Sequence, residues 1–197
     1  VIDVFDAEPY VRALVQCDAT TFQIEPGTRV DILITETMLP ALQDEPQVAV
    51  TLNLAPQLAP DGILIPENIA VHAGLLNPRR NMERMLDLEN KIRDHYFLLR
   101  PIFEWNKQTA LQQVEANNAG AFPEVTVEIP QDVSAVYRLL CLFTKIQVFE
   151  SEVLDYWQCH LSQPAPLMML ELEKKPLQKA SFQYQSGEKP GFRWELF

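Results

Sequence analysis

The sequence predicts an α/β unit at the start, a helical pair in the middle and a β-rich end. Three observations carry that reading. Two β-branched runs, Val30 to Thr35 and Ile63 to Ile65, flank a stretch of helix length, which is the pattern of one βαβ crossover. From Asn81 to Arg100 the apolar residues Met82, Met85, Leu86, Leu88, Ile92, Tyr96 and Leu99 recur at helical spacing. From Val125 onward the runs are short, alternating or β-branched and divided by turn signals. The expected divisions are 1–77, 78–117 and 118–197.

Composition narrows the function classes. The chain has 197 residues, 47% of them apolar, which suffices for one ordinary domain or two small ones and excludes wholesale disorder. A formal net charge of −11 argues against a groove built to neutralise nucleic-acid phosphates. Three cysteines (Cys17, Cys141, Cys159) are an odd number without CxxC spacing, so reduced thiols in a cytoplasmic protein are expected. His72, His95 and His160 are too scattered to suggest a metal site. No run approaches the roughly 20 apolar residues that cross a bilayer, so no membrane partner is expected. The first residue is Val and the opening VIDVFD is already apolar, which reads as the later part of a longer protein.

Taken in order, Tyr10 to Val15 is expected as a short buried strand leading into Cys17-Asp18-Ala19-Thr20. Pro26-Gly27 makes a turn. Val30 to Thr35 is apolar on both faces, as in the interior of a parallel sheet. Asp44-Glu45-Pro46 is a helix start, with an acidic cap and Pro in the first turn, and the helix is expected to run to about Ala59. Asp61-Gly62 ends the unit and Ile63 opens the next strand. Ile69 to Ala73 is one further strand. Pro101 breaks the first long helix, a second covers Glu104 to Ala116, and Asn117-Asn118-Ala119-Gly120 stops it. The strands expected thereafter are Val125–Ile129, Leu139–Phe149, Leu167–Leu172 and Ala180–Tyr184. A Ser186 to Gly191 turn then leads into Phe192 to Phe197.

Two stretches, VDILITETMLPALQDE and LAPDGILIPE, resemble the class I S-adenosylmethionine-dependent methyltransferases, and among them the protein arginine methyltransferase group. That group has a strand ending in Ser-Glu or a variant, a loop with a second Glu, a helix, a Leu-x-Pro-x-Gly turn and a strand ending in Ile-Pro. Here Glu36 and Glu45 stand nine positions apart. The segment Cys17-Asp18-Ala19 is similar to the group's Gly-Asp-Ala, whose Asp contacts the adenine amino group in many relatives. The end, SFQYQSGEKPGFRWEL, is similar to its β-barrel-like domain. The resemblance covers most of the chain and is strongest over Asp31 to Glu67. It implies a partial Rossmann-like methyltransferase sheet, a helical insertion acting as a dimerisation arm, and an antiparallel β-barrel-like C-terminal domain. It also implies S-adenosylmethionine as cofactor, with Asp18, Ala19 and Glu36 at the cofactor and Glu36 and Glu45 as catalytic residues. No Gly-x-Gly-x-Gly turn occurs in the sequence. In the group that turn lies upstream of the Asp-Ala segment, so cofactor binding by this chain alone is expected to be weak or absent. The group's Thr-His-Trp loop is absent, with Trp157 and His160 in another arrangement.

The residues themselves say what such a site would do. Two carboxylates converging on a guanidinium or amine make charge-assisted bonds and raise electron density on the attacking nitrogen. Glu36 closes a strand, where open parallel sheets place ligands. Glu45 either joins it or caps the helix behind Pro46. Asp18 either meets a ligand or caps its own turn at Thr20 or Thr21. Between Arg29 and Arg79 there is no Lys or Arg, while Asp31, Glu36, Asp44, Glu45, Asp61 and Glu67 lie in the interval, a negative mouth suited to cations. The surplus of large apolar residues between Met82 and Trp105 must be covered by the other helix, the β-rich end or a second copy. Two functions follow: methyl transfer to a nitrogen or other nucleophile of an unidentified acceptor, or a non-catalytic, methyltransferase-like module acting in binding or dimerisation.

Overall fold

The computed structural model describes residues 4, 6–87, 92–117, 120, 122–170 and 178–197. The α/β unit is built as its pattern requires. Strand β1 (Ile32–Ile34) pairs parallel with β2 (Ile63–Ile65), and helix α1 (Gln47–Leu54) crosses between them. The pairing extends one residue further, with the Thr35 amide donating to the Ile65 carbonyl at 2.9 Å. Helix α1 stops early, passing into a 3-10 turn at Ala55–Gln57 that holds Pro56.

Strand β3 (Asn68–Leu76) begins the β-rich part and lies at the centre of a five-stranded sheet. On one side it pairs with β4 (Tyr96–Asn106), on the other with β6 (Leu139–Phe149). Strands β7 (Glu152–Leu154) and β8 (Ala165–Met169) both pair with β6. A second antiparallel sheet holds β5 (Val125–Ile129), β9 (Gln178–Gln185) and β10 (Gly191–Leu196) in the order β10-β9-β5. The inner faces of the two sheets share one core, with Ile69, Val71 and Leu75 of β3, Leu140 and Leu142 of β6, and Phe182 and Tyr184 of β9 all buried. Fully burying each such side chain is worth roughly 1.5–3 kcal/mol. The two sheets do not close into a barrel among the described residues.

Three expectations are corrected here. Tyr96 to Asn106 is a strand, not the end of one helix and the start of another. Helices are formed on either side of it, by α2 (Pro78–Leu86) and α3 (Lys107–Glu115). The run YFLLRPIFEW has apolar residues for both faces of a sheet, and such a run is not distinguished from a buried helix by periodicity. Pro101 is tolerated because β4 is the sheet's edge strand and carries a bulge where Pro101 meets His72. This also accounts for much of the apolar surplus: Ile102 and Trp105 enter the common core, while Tyr96 and Leu98 pack on the sheet's outer face with Phe143. Gly74 makes room there, since a Cβ at this position would stand 2.7 Å from the Phe143 ring. The second correction concerns Tyr10 to Val15, which is not a strand. It has no sheet partner among the described residues, and Leu14 and Val15 are exposed. Likewise Ile32 and Ile34 of β1 are exposed rather than interior.

Other expectations hold closely. Val125–Ile129 and Leu139–Phe149 are strands at those bounds, and the final hairpin is formed. Residues 171–172 of the expected strand Leu167–Leu172 lie outside the described residues, as do 118–119 of the stop signal. Helix α3 starts with a capping box in which Asn106 and Thr109 satisfy each other's amides. Its first residue then ties the two parts together. Lys107 Nζ donates to the carbonyls of Ala59 (3.3 Å), Pro60 (3.0 Å) and Gly62 (2.6 Å), the turn just before β2.

Candidate functional site

The loop between β1 and α1 is where the α/β unit meets both sheets. It starts from a fixed point, because Thr35 is buried and its amide is paired with β2. Glu36 follows and is exposed. The side chain of Gln47, 1% exposed at the start of α1, reaches back to both of its neighbours. Gln47 Nε2 donates to Thr35 Oγ1 at 2.7 Å, and Gln47 Oε1 accepts from the Thr37 amide at 3.2 Å and its hydroxyl at 2.9 Å. A buried amide with its donor and acceptor both engaged is a stiff support. It brackets Glu36 without touching its carboxylate.

The middle of the loop is held by the β-rich part. The Ala41 amide donates to Thr144 Oγ1 of β6 at 2.8 Å. Tyr184 of β9 donates its hydroxyl to the Leu42 carbonyl at 3.1 Å, and burial pushes that phenol's pKa up. The Asp44 amide donates to the Pro190 carbonyl in the β9–β10 turn at 2.9 Å. Between these anchors Ala41, Leu42 and Asp44 take φ of 58°, 56° and 61°. Three non-glycine residues in the left-handed region within four positions is a strained path, and such paths persist only where surrounding contacts over-determine them. Here the three anchors do that.

Glu45 is half-buried and does not cap α1. The N-cap position is Pro46 and no side chain bonds to the first turn. The acidic cap expected from Asp44-Glu45 is therefore not formed. Neither Glu36 nor Glu45 has a side-chain hydrogen bond or ion pair among the described residues. The broader acidic mouth shrinks. Arg29 pairs with Asp31 at 2.6 Å and with Asp61 at 2.8 Å, and Glu67 accepts from the Glu150 amide. What remains on the loop is Glu36, Asp44 and Glu45. An open groove of about 370 Å³ borders its outer end, where Gln43 and Asp44 face Lys189 and Arg193.

Asp18 is exposed and caps its own turn. Its Oδ1 accepts from the Thr20 amide at 2.9 Å and hydroxyl at 2.7 Å, and those bonds hold its carboxyl below the usual range. Its Oδ2 has no partner among the described residues. The Ala19 carbonyl accepts from Asn53 Nδ2 at 3.0 Å, which ties this turn to α1. The His160–Ser162 turn packs against the Pro40–Leu42 turn of the loop, with His160 exposed, while Trp157 lies on the outer face of the five-stranded sheet. Sequence reading missed Gln47, Thr144 and Tyr184. A glutamine after Glu-Pro, a threonine in an apolar strand and a tyrosine in a hairpin carry no local signal, since their partners lie 10 to 142 residues away. No group of metal-ligating side chains occurs among the described residues, and no described helix is long and apolar enough to cross a membrane.

No family model and no curated protein matches the sequence. The fold does have solved counterparts. One is the Trypanosoma brucei PRMT1 enzyme-prozyme heterotetrameric complex with AdoHcy, at TM-score 0.57 and 14% identity over 98% of this chain and 71% of that one. Another is PRMT6, at TM-score 0.51 and 12% identity over 84% of this chain and 67% of that one. At these identities the likeness is one of fold.

Proposed function

We propose that this chain is the acceptor-side part of an S-adenosylmethionine-dependent methyltransferase, and that Glu36 and Glu45 receive a nitrogen nucleophile. The observation that carries this is the clamped loop. It is strained, anchored on both sides by buried hydrogen bonds, and leaves two carboxylates without partners. A cationic amine or guanidine is the acceptor class such carboxylates favour. They bind it by charge-assisted bonds, orient the nitrogen that attacks and accept its proton as the new bond forms. Glu36 carries the larger role, because β1 and Gln47 fix its backbone.

S-adenosylmethionine, when bound, supplies the electrophilic methyl group. The residues of this chain that fit it are Asp18, whose pinned carboxylate leaves Oδ2 free for an amino group, and Ala19 beside it. The sequence has no glycine turn for the donor's methionine end. Calorimetry with S-adenosylhomocysteine on this chain is expected to show weak binding that Asp18→Ala abolishes. Tight binding that survives Asp18→Ala would remove Asp18 from the site. In a methyl-transfer assay on a preparation with donor binding, Glu36→Gln is expected to cut turnover on the order of 100-fold. Glu45→Gln should cut it less. Wild-type rates in both would overturn the carboxylate assignment.

We further propose that the segment 78–117 makes a partner contact through α2, whose Met82, Met85 and Leu86 are exposed. The PRMT1 counterpart is itself a heterotetramer. Light scattering of wild type against Met85→Glu, Leu86→Glu tests this, and a wild-type monomer would refute it. The three free thiols suit a cytoplasmic setting.

A further inference from the structure

The outer face of the five-stranded sheet holds a cleft that the methyltransferase reading does not use. It has a volume of about 410 Å³ and lies between the end of α2, the Ile92–Tyr96 stretch and the Asp155–Gln158 turn. Volumes of this size hold small organic ligands. Its walls are aromatic and apolar, from Ile92, Tyr96, Tyr156 and Trp157.

Two polar groups there are left incomplete. His95 is 4% exposed, and neither ring nitrogen makes a well-formed hydrogen bond among the described residues, with the Ile92 backbone alone close enough to favour its charged form by hydrogen bonding. Its ring instead packs against Trp157, with centroids 4.4 Å apart, and Tyr96, at 5.0 Å. An imidazole buried this way forfeits the bonds it had in water. Burial, with the charge of Arg84 nearby, lowers its pKa to about 4, so at neutral pH it offers one donor and one bare acceptor. Trp105 Nε1 and Gln113 Oε1 also lack partners, but neither lines the cleft.

The second group is Arg84. Its guanidinium lies over the Trp157 ring, 4.8 Å from the centroid. Its only hydrogen bond among the described residues is a long one, Nε to Asn81 Oδ1 at 3.5 Å. Burial lowers its pKa, the direction of a cation losing water without gaining an anion. The other arginines of α2 differ: Arg79 pairs with Glu83, and Arg80 pairs with Glu83 and Asp94. Arg93 adds a second positive charge to the lining. The one acid there, Asp155, is already engaged by the Tyr156 amide and stands 3.9 Å from Lys145. Trp157 itself stands at φ 65°, a conformation a bulky residue rarely adopts, and its amide donates a hydrogen bond to the Ser162 carbonyl.

We infer that this cleft is a binding site for a small aromatic carboxylate. The carboxylate pairs with Arg84, and the ring packs among Ile92, Tyr96 and Tyr156. The site is separate from the loop that bears Glu36, and its existence does not depend on methyl transfer. The test uses 4-hydroxybenzoate, its uncharged analogue 4-hydroxybenzamide, and acetate. Binding is followed by NMR at the Trp157 indole N–H, assigned with Trp157→Phe. The expected result is a saturable shift with 4-hydroxybenzoate at a Kd of about 1 mM or tighter, roughly tenfold weaker binding for the amide, and none for acetate. Arg84→Gln, a change at a partly exposed position, should weaken binding about tenfold while leaving the thermal melt unchanged. An absent or non-saturable shift, equal binding of acid and amide, or undiminished binding to a folded Arg84→Gln variant would each overturn the assignment.

Discussion

The loop from Thr35 to Gln47 and the cleft around His95 solve opposite problems. In the loop the buried polar groups are paired, by Gln47, Thr144 and Tyr184, and the free charges are the exposed or half-buried carboxylates. In the cleft a buried imidazole lacks a well-formed hydrogen bond, and beside it a partly exposed guanidinium lies over an aromatic ring. The difference teaches what each region is organised to do. The loop uses its hydrogen bonds to hold a strained path. The cleft leaves the Arg84 guanidinium without an anion among the described residues, so a ligand that supplies one gains what folding left unsatisfied.

The comparison can be broken at several points. The largest effect is expected for Gln47→Leu, which keeps volume but strips Thr35 and Thr37 of their partners. A loss of about 2–3 kcal/mol of stability should appear in denaturant melts. An unchanged midpoint would mean the loop is not held as described. Next comes pH. His95 has a folded-state pKa of about 4 against an ordinary 6.5. The unfolded chain therefore takes up this proton first, so its contribution to stability is full above pH 6.5 and declines as pH falls toward 4. Melts across that window should slope downward with acid in wild type and flatten in His95→Phe. A smaller slope should remain from His72, whose pKa burial also lowers. An identical slope in both proteins would show that His95 is not buried neutral.

Smaller still is Tyr184→Phe, which removes one bond to the Leu42 carbonyl and should cost about 1 kcal/mol while loosening the loop. Hydrogen exchange at the Leu42 and Asp44 amides would report that loosening. The smallest is Asp18→Ala. Its bonds reach only Thr20, two residues on, and the carboxylate is fully exposed, so the melting midpoint near neutral pH should not move. Because those bonds depress the Asp18 pKa, any contribution exists above its ordinary pKa of 3.8 and fades as pH falls through the lower folded value. It therefore lies at more acid pH than the slope from His95.

These residues also show where sequence reading reached and where it stopped. The βαβ unit was legible because its strands and helix are separate local runs with a turn between each. Strand β6 was legible to the residue, and the β9–β10 connection to within one, since Ser186 to Gly191 is a turn by composition and β10 begins at Gly191. Strand β4 was not, because an edge strand covered on both faces has the composition of a buried helix and hides its Pro101 at a bulge. Glu36 could be singled out by its place after a strand. That it stands on a clamped loop could not, because Thr144 and Tyr184 lie 103 and 142 residues from the atoms they hold. The cleft was invisible for the same reason: Arg84, His95 and Trp157 come from three separate stretches of chain, and nothing local marks a histidine that will be buried without a partner.

The central claim is that the clamped loop presents Glu36 and Glu45 to a cationic acceptor. Titration calorimetry with a short arginine-containing peptide, on wild type, Glu36→Gln and Glu45→Gln, measures this without requiring the methyl donor. Saturable binding to wild type is predicted, weakened about tenfold by Glu36→Gln and less by Glu45→Gln. Equal affinity in all three folded proteins would contradict it.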